Sequence, residues 1–312
     1  MREPIYRQAL SHSWKLVWHN KILWIFGLLA ALVGQFGINN FVGKLAVAIS
    51  TNISLSDYFL GTYWKVQGWG TLLLAWLAVI AAAVCIITIL AAVAAQGAII
   101  AAALDWYKKK KTDSLKKAWH RGTKHFWKLF FLNVIKRAVF FLVILAVVSL
   151  IRNTGASNMT YSLIFFILGT FIALIVSTVT IYAAGYVVED ESGLIEAIIK
   201  GWNLFAGHML VSLELSLIFF VFDVILVAVT LALSTLVLIP TFVLSLVAGF
   251  TGLTGLITVG IFISLIIFIL FIVLIGSVYN AFTISAWTYM FMKMHREGVR
   301  SRVLHFLGLS RD

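Results

Sequence analysis

Two carboxylates lie where the surrounding sequence is otherwise apolar. Glu214 and Asp223 fall in the run that begins at Met209, among Leu, Val, Ile and Phe. An acid surrounded by hydrocarbon is costly, so its presence points to a proton relay, a cation site or a buried hydrogen bond. At about 1.5 Å per residue, Glu214 sits about 8 Å and Asp223 about 21 Å from the start of the run. Their spacing turns them to opposite helix faces at about 100° per residue, so they do not form one site. Asp223 therefore calls for a partner elsewhere. Gln96, the Ser177-Thr178 pair and the basic residues Lys136 and Arg137 are the candidates. Those two cations lie a turn or two inside another apolar run, where a central charge costs roughly 2.5–3.5 kcal/mol. Long basic side chains near a run's end avoid that cost by reaching back to lipid headgroups.

The other chemistry-bearing residues point to no reaction. The seven histidines form no HxxxH pair and have no cysteine beside them, and Cys85 is the single thiol. No glycine-rich phosphate loop, GxSxG or HExxH occurs. No catalytic, cofactor-binding or metal-ligating residue, and no cofactor, is expected.

Charged residues make up 12% of the chain, against about 25% in a soluble domain, and the mean hydropathy is +1.03. Such a chain cannot cover its apolar runs with its own polar surface. The net charge of +12 would suit nucleic acid in a soluble protein. Here the cations flank apolar runs, so anionic lipid is the expected partner and nucleic acid is not. A second copy of the chain, or another membrane protein, stays open as a partner.

The block from Lys108 to Lys128 carries nine Lys and Arg residues, and basic loops stay on the cytoplasmic side of a membrane. Its apolar residues Leu115, Ala118, Trp119, Gly122 and Phe126 recur at helical spacing, which predicts an amphipathic helix lying on that surface. Lys116, Lys117, Arg121 and Lys124 would then face headgroups, with Lys136 and Arg137 joining from the next span. Similar surface helices are expected near the N-terminus and at GLIEAIIKGWNLFAGH. Spans are expected at Ile22–Val42, Thr71–Leu104, Phe131–Ile151, Tyr161–Val188, Met209–Pro240 and Leu256–Met292. The stretch Thr241–Gly255 reads as a loop or re-entrant turn, because a further crossing would put the basic tail outside.

The three surface helices align without gaps. Ala9, Ala118 and Ala197 correspond, as do Trp14, Thr123 and Trp202, and Trp18, Trp127 and Ala206. This predicts a threefold repeat of surface helix, span, loop and span, with units at about residues 3–107, 112–190 and 191–293 and a basic tail at 294–312. The segments ALSHSWKLVWHNKILWIF and YVVEDESGLIEAIIKGWNLFAGH resemble bacterial six-span membrane proteins grouped with the membrane domain of glycerophosphodiester phosphodiesterases. The resemblance implies an integral domain of the bacterial cytoplasmic membrane without the phosphodiesterase barrel, and carries over no catalytic residue.

The expected fold is one all-α, polytopic membrane bundle of six spans and three surface helices, with both termini cytoplasmic. The expected role is non-enzymatic, a lipid-interacting or scaffolding function at the cytoplasmic leaflet. The rival is a small-solute or ion transporter using Asp223.

Overall fold

The computed structural model describes residues 5–32, 71–108, 115–153 and 159–298. Among them there are ten helices and no strand. In chain order they are α1 (Ile5–His19), α2 (Ile22–Leu32), α3 (Thr71–Tyr107), α4 (Leu115–Lys124) and α5 (Phe126–Asn153). These are followed by α6 (Met159–Glu189), α7 (Leu194–Gly207), α8 (Met209–Val237), α9 (Ile239–Thr251) and α10 (Gly255–Glu297). Continuous apolar helix satisfies its own backbone polar groups without water, which suits these compositions. Five stretches are long and apolar enough to cross a bilayer: α3 from Ala82, most of α5, most of α6, the α8–α9 run and α10. Their length and composition are those of a multi-pass membrane protein. Of the stretch expected as the first span, α2 covers Ile22–Leu32 as a short apolar helix, and the remainder to Val42 lies outside the described residues.

The stretch that the sequence suggests as a loop is helical. Pro240 stands in the first turn of α9, where its missing N–H costs nothing, and its ring breaks the ladder of α8 before it. Gly252 ends α9 in the left-handed region at φ +73° and donates its N–H to Ala248 O at 2.8 Å. The chain then reverses into α10. The first turn of α9 and the second turn of α10 lie close, since a Cβ on Gly260 would come within 2.9 Å of Thr241 Cα. Thr241 Oγ1 also donates to Ser264 Oγ at 2.8 Å. Thr241–Gly255 is thus the end of an outgoing leg and its turn. It continues the α8 leg, and α10 runs back toward the charged end.

Packing follows one pattern. The short helices lie on the C-terminal parts of long ones: α4 on α3, α7 on α6 and α1 on α10. The outgoing legs α2, α5 and α9 pair with the next long helices α3, α6 and α10, and α3, α6 and α10 touch one another. Small residues permit the close approaches. A Cβ on Gly122 of α4 would meet Ala94 O at 2.5 Å, and one on Gly201 of α7 would meet Val179 O at 3.0 Å. Gly27 brings α2 onto α10, where Asn280 Nδ2 donates to Gly27 O at 3.0 Å.

The main core lies at the charged end, where Ala9, Ala101, Ala118, Tyr182, Ala197, Leu215 and Phe291 are buried. Away from that end the legs expose their apolar residues, from Trp76 to Leu90 in α3 and from Phe220 to Leu274 in α8–α10. An apolar surface of that extent requires hydrocarbon around it.

Candidate functional site

At the charged end, the C-termini of three long helices converge on one carboxylate. Glu189 of α6 receives Lys108 Nζ at 2.7 Å and Arg296 at 3.1 Å, one following α3 and the other in the last turn of α10. Asp105 pairs with Arg121 at 2.8 Å, and Glu191 pairs with Lys124 at 2.5 Å. Lys128 Nζ adds bonds to the carbonyls of Glu191 and Ser192 at 2.9 and 3.0 Å. Glu191 sits at φ +54°, an uncommon conformation for a residue with a Cβ, and these contacts hold the turn. The Lys124 ammonium keeps the Glu191 carboxyl below the usual carboxylate range.

These pairs alter the assignment of headgroup ligands. Arg121 and Lys124 extend first to Asp105 and Glu191, because α4 lies on α3 and beside the acidic turn after α6. Lys117 is exposed as expected, and the side chain of Lys116 lies outside the described residues. Arg137 is exposed. Lys136 does not snorkel: it is 4% exposed, with its ammonium 5.6 Å from the centre of the Phe140 ring. The helical phase explains this, since Lys136 shares its face of α5 with the buried Leu129 and Asn133.

The intramembrane polar residues also find partners that differ from those expected. Gln96 Oε1 accepts from Asn133 Nδ2 at 2.8 Å. Asp223 accepts from Tyr279 Oη at 2.5 Å, which ties α8 to α10. Glu214 accepts from Tyr6 Oη, which ties α8 to α1. The two acids thus serve different interfaces, as their helical phase requires. Thr178 bonds back to Leu174 O at 2.9 Å within its own helix. Depth gives the signal that finds Tyr279: it lies about 27 Å from the charged end of α10, against about 21 Å for Asp223 on α8, at 1.5 Å per residue.

Two histidines are sheltered in the surface layer. His125 is buried between α4 and α5, and burial holds its imidazole below the ordinary value, with Lys124 and Lys128 adding to the effect and Glu191 opposing it. His12 packs against Tyr289 and Trp106 and is likewise lowered by burial, then by Lys15. Among the described residues, no three His, Cys, Asp or Glu side chains come together as a metal site would need.

Between α1 and the α8–α10 pair lies a groove of about 640 Å³. Trp14 and Trp18 of α1 and Trp24 of α2 form one wall, and Phe222, Val229, Leu274 and Phe282 form much of the other. Two of its polar groups are engaged in bonds to the protein itself: Trp24 Nε1 donates to Val17 O at 3.0 Å, and Tyr279 donates to Asp223. What remains is an apolar slot within the size range of small-molecule sites, about 300–1,000 Å³. No local signal in the sequence points to it, because its walls come from segments about 200 residues or more apart.

No protein-family model matches the chain, and no curated protein or solved structure matches it, so the family resemblance rests on the short motifs that suggest it.

Proposed function

We propose that this chain is a non-enzymatic membrane protein that holds anionic lipids at the cytoplasmic leaflet and acts there as a scaffold. In this reading it has six spans in three repeated units, with the charged end facing the cytoplasm. The positive-inside bias of the Lys108–Lys128 block supports that orientation. The repeat is supported by burial at equivalent positions: Ala9, Ala118 and Ala197 are buried, and so are Ser13, Gly122 and Gly201 four residues on. The helix pairs α1–α10, α4–α3 and α7–α6 support it as well.

One observation carries the lipid reading. Each surface helix buries its small-residue face in the bundle, and tryptophans are exposed on α1 (Trp14 and Trp18), on α7 (Trp202) and at the start of α5 next to α4 (Trp127). Exposed Arg7, Lys15 and Lys117 lie on α1 and α4. Amphipathic rings beside cations are the anchors of a membrane–water interface. Each such cation contributes about 1 kcal/mol toward an anionic surface.

The test is lipid selectivity in reconstituted vesicles, read by spin-labelled lipids. The wild type should prefer phosphatidylglycerol to phosphatidylcholine, and Arg7→Gln with Lys15→Gln and Lys117→Gln should erase much of that preference. An unchanged preference counts against the reading.

Transport through Asp223 is the second reading, supported by the half-buried acid beside the groove. The Tyr279 bond favours a structural role, since it fixes the carboxylate between two helices. Asp223→Asn should then weaken folding, whereas loss of solute flux in a fully folded variant would restore transport.

A further inference from the structure

The groove between α1 and the α8–α10 pair has a direction. Phe282 lies 5.8 Å from Trp14 and 6.4 Å from Phe222, measured between ring centres, so these rings mark its upper end near the surface helix. From there α8 descends to Val229 and α10 to Leu274, away from the charged end. The wall from Phe282 to Leu274 is about 12 Å long at 1.5 Å per residue. Half the hydrocarbon thickness of a bilayer is about 15 Å. The slot's length is thus comparable to the depth of one leaflet.

Its upper end is basic. Ser11, Trp14 and Trp18 line the groove from α1, and Arg7 continues the same stripe one turn back, at the spacing 7, 11, 14 and 18. Lys15 flanks that stripe, and both cations are exposed. An apolar slot about as long as one leaflet is deep, with cations toward its α1 end, matches one class of molecule.

We infer that the groove seats one acyl chain of an anionic phospholipid, with the headgroup phosphate at Arg7 and Lys15. The inference rests on the lipid-interacting reading above and gives it a discrete site. The chain's gain on entering is packing against aromatic walls, because bulk lipid is as apolar as the slot. The headgroup supplies the selectivity.

The test uses the full-length chain, delipidated in mild detergent and titrated with phosphatidylglycerol or phosphatidylcholine while native mass spectra are recorded. The wild type should take up one phosphatidylglycerol ahead of any further lipid. Val229→Trp fills the deep end from an exposed position and should weaken that first uptake about tenfold, a change of about 1.4 kcal/mol. Leu226→Trp serves as an independent filling variant, and both are compared at unchanged thermal transition. Arg7→Gln with Lys15→Gln should reduce uptake of phosphatidylglycerol and leave phosphatidylcholine unaffected. Equal first uptake by the wild type and both tryptophan variants would overturn the inference. So would a wild-type spectrum of paired chains without lipid, which would give the groove to a second copy. If the groove variants bind normally while the surface selectivity of the previous section holds, the discrete site fails and the broader reading stands. If that surface selectivity is absent, the broader reading fails regardless of the groove.

Discussion

Replacing Glu189 by Gln removes the charge on which three helix ends converge. The carboxylate side chain is 9% exposed, Lys108 is 23% exposed and Arg296 is 50% exposed. The Lys108 pair is sheltered, and a charge-assisted hydrogen bond of that kind contributes about 1.5–3 kcal/mol. The Arg296 pair is half in solvent and belongs with surface ion pairs at about 0–1 kcal/mol. Glutamine keeps the shape and one acceptor, so the expected loss is about 2–3 kcal/mol, most of it through Lys108. The assay is denaturant unfolding in mixed micelles, followed by tryptophan fluorescence, on a double-mutant cycle. Glu189→Gln and Lys108→Gln should show a coupling of about 1–2 kcal/mol, and Glu189→Gln with Arg296→Gln less than about 1 kcal/mol. Coupling indistinguishable from zero in both cycles would refute the idea that this carboxylate fastens the long helices together. A larger coupling to Arg296 than to Lys108 would refute the use of burial to rank the two pairs.

Two further outcomes follow from the surface layer. Gly122→Ala should destabilise by about 1–3 kcal/mol through overpacking, because the new Cβ meets backbone atoms of α3 at 2.5 and 2.6 Å. Gly201→Ala meets α6 backbone at 3.0 Å and should cost less; equal melting temperatures for the two variants would show that the helices simply separate. Burial lowers the pKa of His125 and His12, so the unfolded chain binds more protons than the folded one once the pH falls below about 6.5. Stability is therefore complete above that value and declines with acidification through the folded-state pKa values. Melting curves between pH 7.5 and 5.5 should show the decline, and His125→Gln should flatten it; a stability that rises on acidification contradicts the burial argument.

Much of the fold can be read in the sequence, because hydrocarbon imposes length and polarity on each leg. The ends of α6 and the positions of α1, α4 and α7 follow from apolar runs and helical spacing. The 241–255 stretch misleads, since its Gly, Ser and Thr content suggests a loop, while Pro240 and Gly252 merely start and stop a helix. Charges are the harder part. Spacing puts Arg121 and Lys124 on a polar face, but only the folded chain shows that Asp105 and Glu191 come beside them. Lys136 reads as a snorkelling cation because it lies near a helix end, and packing of that helix face buries it instead. Tyr279 escapes notice because a lone tyrosine in an apolar run is ordinary until the antiparallel partner brings Asp223 to a similar depth.

The proposed role requires hydrocarbon around the exposed legs and the charged end on the cytoplasmic side. Cys85 is the only cysteine, so Cys85→Ser gives a thiol-free background. In it, Lys117→Cys and Leu253→Cys place single thiols at exposed positions toward opposite ends of the molecule. Treated in intact cells with a maleimide that cannot cross lipid, the chain with cysteine at 253 should label, and the chain with cysteine at 117 should label only after permeabilisation. Labelling at 117 in intact cells would contradict both the orientation and the leaflet on which the lipid sites depend.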